Sequence, residues 1–144
     1  MATHRHMELA MTTLAINRET ISDNYARLSN HVRRTPVLKV EPSDFETSCS
    51  ELHLKLECLQ HSGSFKARGA FTHFTLGTIP DAGVVAASGG NHGAAVAFAA
   101  RRFNAHASIF VPEISNPAKQ ATIRATGANL VVGGALYAEA LQAA

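Results

Sequence analysis

From Val84 onward the chain alternates short apolar runs with helical segments, and this alternation narrows the folds open to it more than any other feature. Val84–Ala87, Ala107–Val111 and Asn129–Val132 are mostly apolar runs of strand length, the first following Gly83, the second ended by Pro112 and the third by Gly133. Between them, residues 91–103 carry Val96, Ala99, Ala100 and Phe103 at helical spacing. Pro112 ends the second strand, Asn116 is placed to cap the next helix, and Pro117 suits its first position. Gly127 supplies the helix stop, and residues 135–144 begin a further helix. Strand and helix repeating in this way predict an α/β fold of β-α-β units, with a parallel sheet and right-handed crossovers. Such sheets receive ligands at the carboxyl ends of their strands.

The first half is less regular. Residues 1–19 read as a leader. Thr20 or Ser22 is expected to cap a helix running to residue 32, with Ile21, Tyr25, Leu28 and Val32 on its apolar face. Pro36 stops it, and Val37–Val40 reads as a strand. Residues 41–50 are polar and loop-like, residues 53–57 alternate as a half-buried strand does, and residues 67–76 suit a helix. Gly77, Pro80, Asp81 and Gly83 form a breaker cluster. The predicted division is a leader over 1–19, one unit over 20–77 and a second over 78–144.

A formal charge of +2, from 13 basic and 11 acidic side chains, argues against nucleic acid or an anionic membrane as partner. Cys49 and Cys58 lack metal-ligand spacing, and reduced thiols in the cytoplasm are expected. His4 and His6 read as part of a tail rather than a metal pair, and no metal site is expected. His31, His53, His61, His73 and His106 show no ligand spacing and read as surface or turn residues. Neither G-x-G-x-x-G nor a P-loop occurs, which removes the main support for a dinucleotide or nucleotide-triphosphate site.

Two stretches carry chemistry. His61-Ser62-Gly63-Ser64 is rich in N-cap residues and precedes Phe65-Lys66, so Lys66 falls in the first turn of a helix. The helix dipole and Arg68 repel an ammonium there and favour the neutral, nucleophilic amine. A lone lysine is ordinarily a solvated surface residue. The second stretch, Ser88-Gly89-Gly90-Asn91-His92-Gly93, lies at the carboxyl end of the first parallel strand. Its glycines leave amide N–H groups uncovered at a helix N-terminus, which suits a carboxylate or phosphate. Alone it is ordinarily a generic strand-to-helix turn. Together, an amine that can hold an aldehyde and a loop that can hold a carboxylate point to amino-acid chemistry.

These two motifs, in this order, resemble those of the pyridoxal-phosphate-dependent serine/threonine dehydratase family, of the tryptophan-synthase-β-like (fold type II) enzymes. The resemblance runs from about Asn17 to the last residue and is carried by Ser62-Gly63-Ser64-Phe65-Lys66-Ala67-Arg68-Gly69-Ala70 and by Ser88-Gly89-Gly90-Asn91-His92. It implies pyridoxal 5'-phosphate as cofactor, held by Lys66 as a Schiff base. Lys66 would also take the Cα proton of the substrate. Phe65 would pack against the cofactor and Asn91 would hydrogen-bond its ring oxygen. Ser64, Ser88, Gly90, Asn91 and His92 would bind the substrate. The implied reaction is β-elimination of water from L-serine or L-threonine, yielding a 2-oxo acid and ammonia, by a homo-oligomer.

Departures from the family pattern qualify this. Asn91-His92 stands where cysteine synthases and threonine synthases carry Asn-Thr. Gly89 stands where serine racemases carry a second serine. By the resemblance, residues 20–77 begin a large catalytic domain and residues 78–144 supply most of a small one. The family's glycine-run phosphate cradle has no counterpart, since Gly133-Gly134 is short and misplaced. A truncated chain that binds the cofactor weakly and turns over little is therefore expected. The rivals are a non-catalytic fragment that folds with a partner chain or oligomer, and another fold type II reaction such as β-replacement.

Overall fold

The computed structural model describes residues 16–144, so residues 1–15 of the expected leader, with His4 and His6, lie outside the described residues. Helix α1 spans Arg18–Leu28, and its cap is neither Thr20 nor Ser22. Asn17 is the N-cap. Its side chain accepts from the Thr20 N–H at 2.9 Å, while Thr20 Oγ1 accepts from the Asn17 N–H at 3.2 Å. This reciprocal pair satisfies two N–H groups that the first helical turn would otherwise leave bare. Leu28 and Val32 are buried as expected, but Ile21 and Tyr25 are exposed, and the helix ends four residues before Val32.

Strands β1 (Val37–Val40) and β2 (Leu52–Lys55) pair antiparallel, joined by a connection that contains a 3-10 turn over Pro42–Phe45. Strand β2 stops two residues earlier than its alternation predicts, because Glu57–Leu59 turns as a short 3-10 segment. Helix α2 spans Lys66–Leu76. The expected β-α-β series then follows. Strands β3 (Val84–Ala87), β4 (Ala107–Val111) and β5 (Asn129–Val132) form a parallel sheet in the order β3-β4-β5. Helix α3 (Asn91–Arg102) connects β3 to β4, and α4 (Pro117–Arg124) connects β4 to β5. Helix α5 is shorter than expected, Tyr137–Gln142.

The centre of the molecule is α3. Seven of its residues, Gly93, Ala94, Ala95, Val96, Ala97, Ala99 and Ala100, are buried, on more than the single inner face predicted. It packs against α2 and against β3 and β4, so small side chains are required on both sides for helix and sheet to approach. Phe71 on α2 and Ile109 and Val111 on β4 are fully buried around it. The breaker cluster at residues 77–83 thus separates two segments whose helices α2 and α3 lie directly against each other.

Two of the histidines read as surface or turn residues, His31 and His61, lie in turns but pack against aromatic rings. His31 stacks on Phe71 at 5.6 Å and lies 5.0 Å from the Phe103 ring, while His61 stacks on Phe98 at 4.9 Å. Both are half-buried. Burial, aided by Arg33 and Arg102, pushes the His61 pKa down. Protonating His61 therefore opposes folding, and its penalty sets in as pH falls below the ordinary value of 6.5.

Candidate active site

The turn before Lys66 is built by residues distant from it in sequence. Gln60 is 2% exposed, and its amide spans the backbone after α1. Oε1 accepts from the Arg33 N–H at 2.9 Å, and Nε2 donates to the Arg33 carbonyl at 2.8 Å. Oε1 also accepts from the His61 N–H at 3.0 Å, which fixes where the turn begins. Ser62 then adopts φ 58 and Gly63 φ 73, two successive left-handed residues that reverse the chain. A serine in this region is strained, a feature found at positions over-determined by their surroundings. Nothing in the composition of the stretch marks Gln60 for this role. Its signal is the pairing with Arg33, which only the fold brings about.

The predicted capping by this turn does not occur. The N-cap position of α2 is Phe65, without a side-chain cap, and Ser64 is extended. The Ser62 and Ser64 hydroxyls are buried and have no hydrogen-bond partner among the described residues. Buried hydroxyls without partners are uncommon in native interiors, so Ser64 is an orphaned polar group beside the base of Lys66.

Glu57 and Arg68 brace the opposite side. Arg68 Nε donates to Glu57 Oε2 at 2.8 Å and Arg68 NH2 to Oε1 at 2.7 Å, and the Thr35 hydroxyl also donates to Oε1. The Arg68 charge is thus matched by a carboxylate, which offsets the repulsion of Lys66 expected from sequence. The Arg68 hydrogen bond is the main cause, with Thr35 and the Lys55 charge adding to it, that lowers the Glu57 pKa from 4.5 to about 2. A carboxylate held below its ordinary value stabilises the fold above pH 4.5 and loses that contribution as pH falls towards 2. Glu57→Gln is expected to cost about 1–3 kcal/mol at pH 7 and to flatten the stability profile between pH 4.5 and 2, measured by urea unfolding across pH.

Lys66 itself is exposed, with Nζ 5.0 Å from the centroid of the exposed Phe65 ring. Lys66, Phe65, Gly69, His73 and His92 line one cavity of about 310 Å³. The structure therefore brings the lysine of the first motif and the histidine of the second to the same hollow, with His73 added from α2. Sequence reading does not single out His73 as a site residue, although it lies seven residues, two turns, after Lys66 on the same helix. Burial chiefly, then the charges of Lys66 and His73, push the His92 pKa down, so His92 is held towards its neutral form.

The second motif leaves β3 at its carboxyl end, as predicted. The Ser88 N–H donates to the Phe110 carbonyl at 2.9 Å, extending the ladder by one residue. Ser88 Oγ accepts from the Gly90 N–H at 3.3 Å. That leaves the hydroxyl hydrogen of Ser88 to donate outward and engages the Gly90 N–H within the loop. Gly90 is the N-cap position of α3 and has no side chain to cap it. The first-turn N–H groups of Asn91, His92 and Gly93 thus have no acceptor within the helix, and Asn91 and His92 are exposed. Gly89 and Gly93 are required by space. A Cβ on Gly89 would lie 1.8 Å from Ser115 Oγ, and one on Gly93 2.0 Å from the Ser88 carbonyl oxygen.

Comparison with known proteins decides the family. A family model described as pyridoxal-phosphate dependent enzyme matches residues 28–144. The chain belongs to this family. It is 40% identical over 125 residues to a phenylserine dehydratase of Ralstonia pickettii, across 84% of this chain and 37% of that protein. The processed form of threonine deaminase isoform 2 from Solanum lycopersicum superposes with a TM-score of 0.73 at 31% identity, across 85% of this chain and 36% of that one. Maize serine racemase superposes with a TM-score of 0.76 at 28% identity, across 87% and 38%. The chain thus spans little more than a third of the length of such relatives. The α/β fold with a parallel sheet is that of the fold type II members.

The residues present fit one side of the family's cofactor. They offer an exposed lysine amine on a cavity wall and an exposed aromatic ring beside it, while the Ser64 hydroxyl is buried and Ser64 does not line that cavity. Gly133-Gly134 is no phosphate cradle. The Gly134 carbonyl accepts from the Glu113 N–H at 2.9 Å, and the Glu139 carboxylate accepts from the Ala135 N–H at 2.7 Å, so an acid already stands there. Among the described residues no cluster of histidine, cysteine or acidic groups could hold a metal, and no helix is long and apolar enough to cross a membrane.

Proposed function

We propose that this chain carries the lysine and the carboxylate loop of an amino-acid ammonia-lyase, acting on L-serine or L-threonine by β-elimination. The observation behind this reading is the shared cavity, where Lys66 from α2 meets His92 from the loop at the end of β3. When bound, pyridoxal phosphate supplies an electron sink for the carbanion at Cα. Lys66 would hold the cofactor through its amine and, once the substrate amine has displaced it, would remove the Cα proton. Phe65 would pack against the cofactor. The Ser88 hydroxyl, the Asn91 amide and the first-turn N–H groups of α3 hold the substrate carboxylate, with Gly90 giving it room and His92 neutral beside it. Ser64, its hydroxyl buried and off the cavity wall, takes no part in this reading. The β-hydroxyl then leaves as water, taking up a proton that balances the one removed from Cα, and the remaining enamine adds water to give a 2-oxo acid and ammonia.

In this reading residues 20–77 are the start of a large catalytic domain and residues 78–144 most of a small one, within a homo-oligomeric cytoplasmic enzyme. Gly89 favours elimination over racemisation, because Ser115 already fills the space that a side chain at position 89 would need. The deciding assay is release of 2-oxo acid from L-serine and L-threonine, with and without an added thiol. Thiol-independent release supports the reading. A thioether product formed at the expense of 2-oxo acid would replace it with β-replacement, and inversion of L-serine to D-serine would replace it with racemisation.

A further inference from the structure

One side chain at the site comes from an element that neither motif includes. Lys119 Nζ, on α4, lies 2.6 Å from Asn91 Oδ1, linking two residues 28 apart in sequence. An ammonium has three donors and no acceptor, so the atom of the amide it faces must be the oxygen. With Oδ1 engaged, Asn91 has only its Nδ2 hydrogens to offer elsewhere. We propose that Lys119 is a positioning residue that fixes the polarity of the Asn91 amide, so that the loop presents hydrogen-bond donors alone to an oxygen-rich ligand. This rests on the proposed reading of the site, in which Asn91 meets a cofactor oxygen or a substrate carboxylate. Both are acceptors. An asparagine amide free to flip would turn its own oxygen towards them for part of the time.

The placement of Lys119 supports a specific role. It stands in the first turn of α4, where the helix dipole disfavours a cation. That turn is rigidly built. The Asn116 side chain accepts from the Ala118 N–H at 2.8 Å, Gln120 Nε2 donates to the Ser115 carbonyl at 3.1 Å, and Pro117 fixes the first helical position. Among the described residues no carboxylate pairs with Lys119, and its hydrogen bond is to Asn91. Helices α3 and α4 pack together, so the lysine reaches Asn91 from a fixed base.

The test is a double-mutant cycle on the full chain with pyridoxal phosphate as the probe. Affinity is read from the absorbance of the Lys66 adduct, located by mass after borohydride reduction. Lys119→Met and Asn91→Ala are each expected to weaken binding about five- to tenfold. The double variant is expected to bind no more weakly than Asn91→Ala alone, because Lys119 acts through Asn91. Losses that multiply in the double variant would show an independent charge effect and overturn the proposal, as would unchanged affinity in Lys119→Met. The side-chain amide resonances of Asn91 give a readout without cofactor. Lys119→Met is expected to shift them, Lys119→Arg to preserve them largely, and identical spectra in all three proteins would also overturn the assignment. Failure of the unaltered chain to form an adduct at Lys66 would count against the reading of the site, while the amide resonances would still judge the role of Lys119.

Discussion

Replacing Lys66 with alanine is expected to abolish formation of a covalent pyridoxal-phosphate adduct while leaving the fold at least as stable. The two outcomes have separate physical causes. The adduct needs an amine at this point of the cavity, and no other lysine lines it. If Lys66 also moves the Cα proton, turnover in an assembly that contains this chain falls by about 10²–10⁴ from that role alone. Stability, by contrast, has little invested in the side chain. It is exposed, its one ring contact is the Phe65 face at 5.0 Å, and it stands at the end of α2 where a cation is unfavourable. Removing it should leave the unfolding free energy within about 0.5 kcal/mol, or raise it slightly. Absorbance titration with mass mapping checks the first outcome, and urea unfolding checks the second. An adduct that persists in Lys66→Ala would remove the central residue of the proposed site. A loss of more than about 2 kcal/mol would make Lys66 structural instead.

The same substitution bears on His92. The Lys66 charge is one of the causes that lower the His92 pKa, after burial and ahead of His73. Lys66→Met should therefore raise the His92 pKa towards 6.5 without restoring it fully, since burial remains. A histidine NMR titration reads this directly, and an unmoved His92 would mean the two groups do not share the cavity in solution.

How much of this is legible in the sequence depends on the range of the interactions involved. The three parallel strands fall at the expected residues because each is a mostly apolar run marked off by glycine or proline, a signal local to the run itself. The α3 boundaries are nearly as clear. The errors lie where a side chain answers to a distant neighbour. Asn17, rather than Thr20, caps α1 because the two form a reciprocal pair, and a single residue type does not reveal a pair. His31 and His61 lie in turns as read, but they stack in an aromatic cluster assembled from α2 and α3, which their polar character does not reveal. The serines before Lys66 suit a cap for α2, but the left-handed pair Ser62-Gly63 turns their hydroxyls inward. Gln60 and Lys119 reach the site through the fold alone, while His73 shares a helix with Lys66 and is open to a reading of helical spacing. The two motifs are local and therefore readable. The residues that hold them in place are not.

Gly93→Ala is expected to damage the fold although it adds a single methyl group. The added Cβ would stand 2.0 Å from the Ser88 carbonyl oxygen, 3.2 Å from its carbonyl carbon and 3.0 Å from Ile109 Cγ2. Neither obstacle can swing aside. The carbonyl belongs to the backbone that carries the anion loop, and Ile109 is fully buried on β4. Helix α3 would have to withdraw from the sheet, or the loop would have to leave the carboxyl end of β3. Overpacking of this kind costs about 1–3 kcal/mol, and here it also displaces Ser88 relative to Asn91. Gly90→Ala is the informative control. Its Cβ would meet nothing nearer than Ser88 Oγ at 3.9 Å, and its backbone is extended, so the fold should tolerate it. Urea unfolding of both variants should show a clear loss for Gly93→Ala and a change within about 0.5 kcal/mol for Gly90→Ala. If both unfold alike, close packing of α3 on the sheet is not what demands a glycine at position 93. If they differ as expected, the glycine at 93 is there for the joint between strand and helix, and the one at 90 for the room it leaves in front of Asn91.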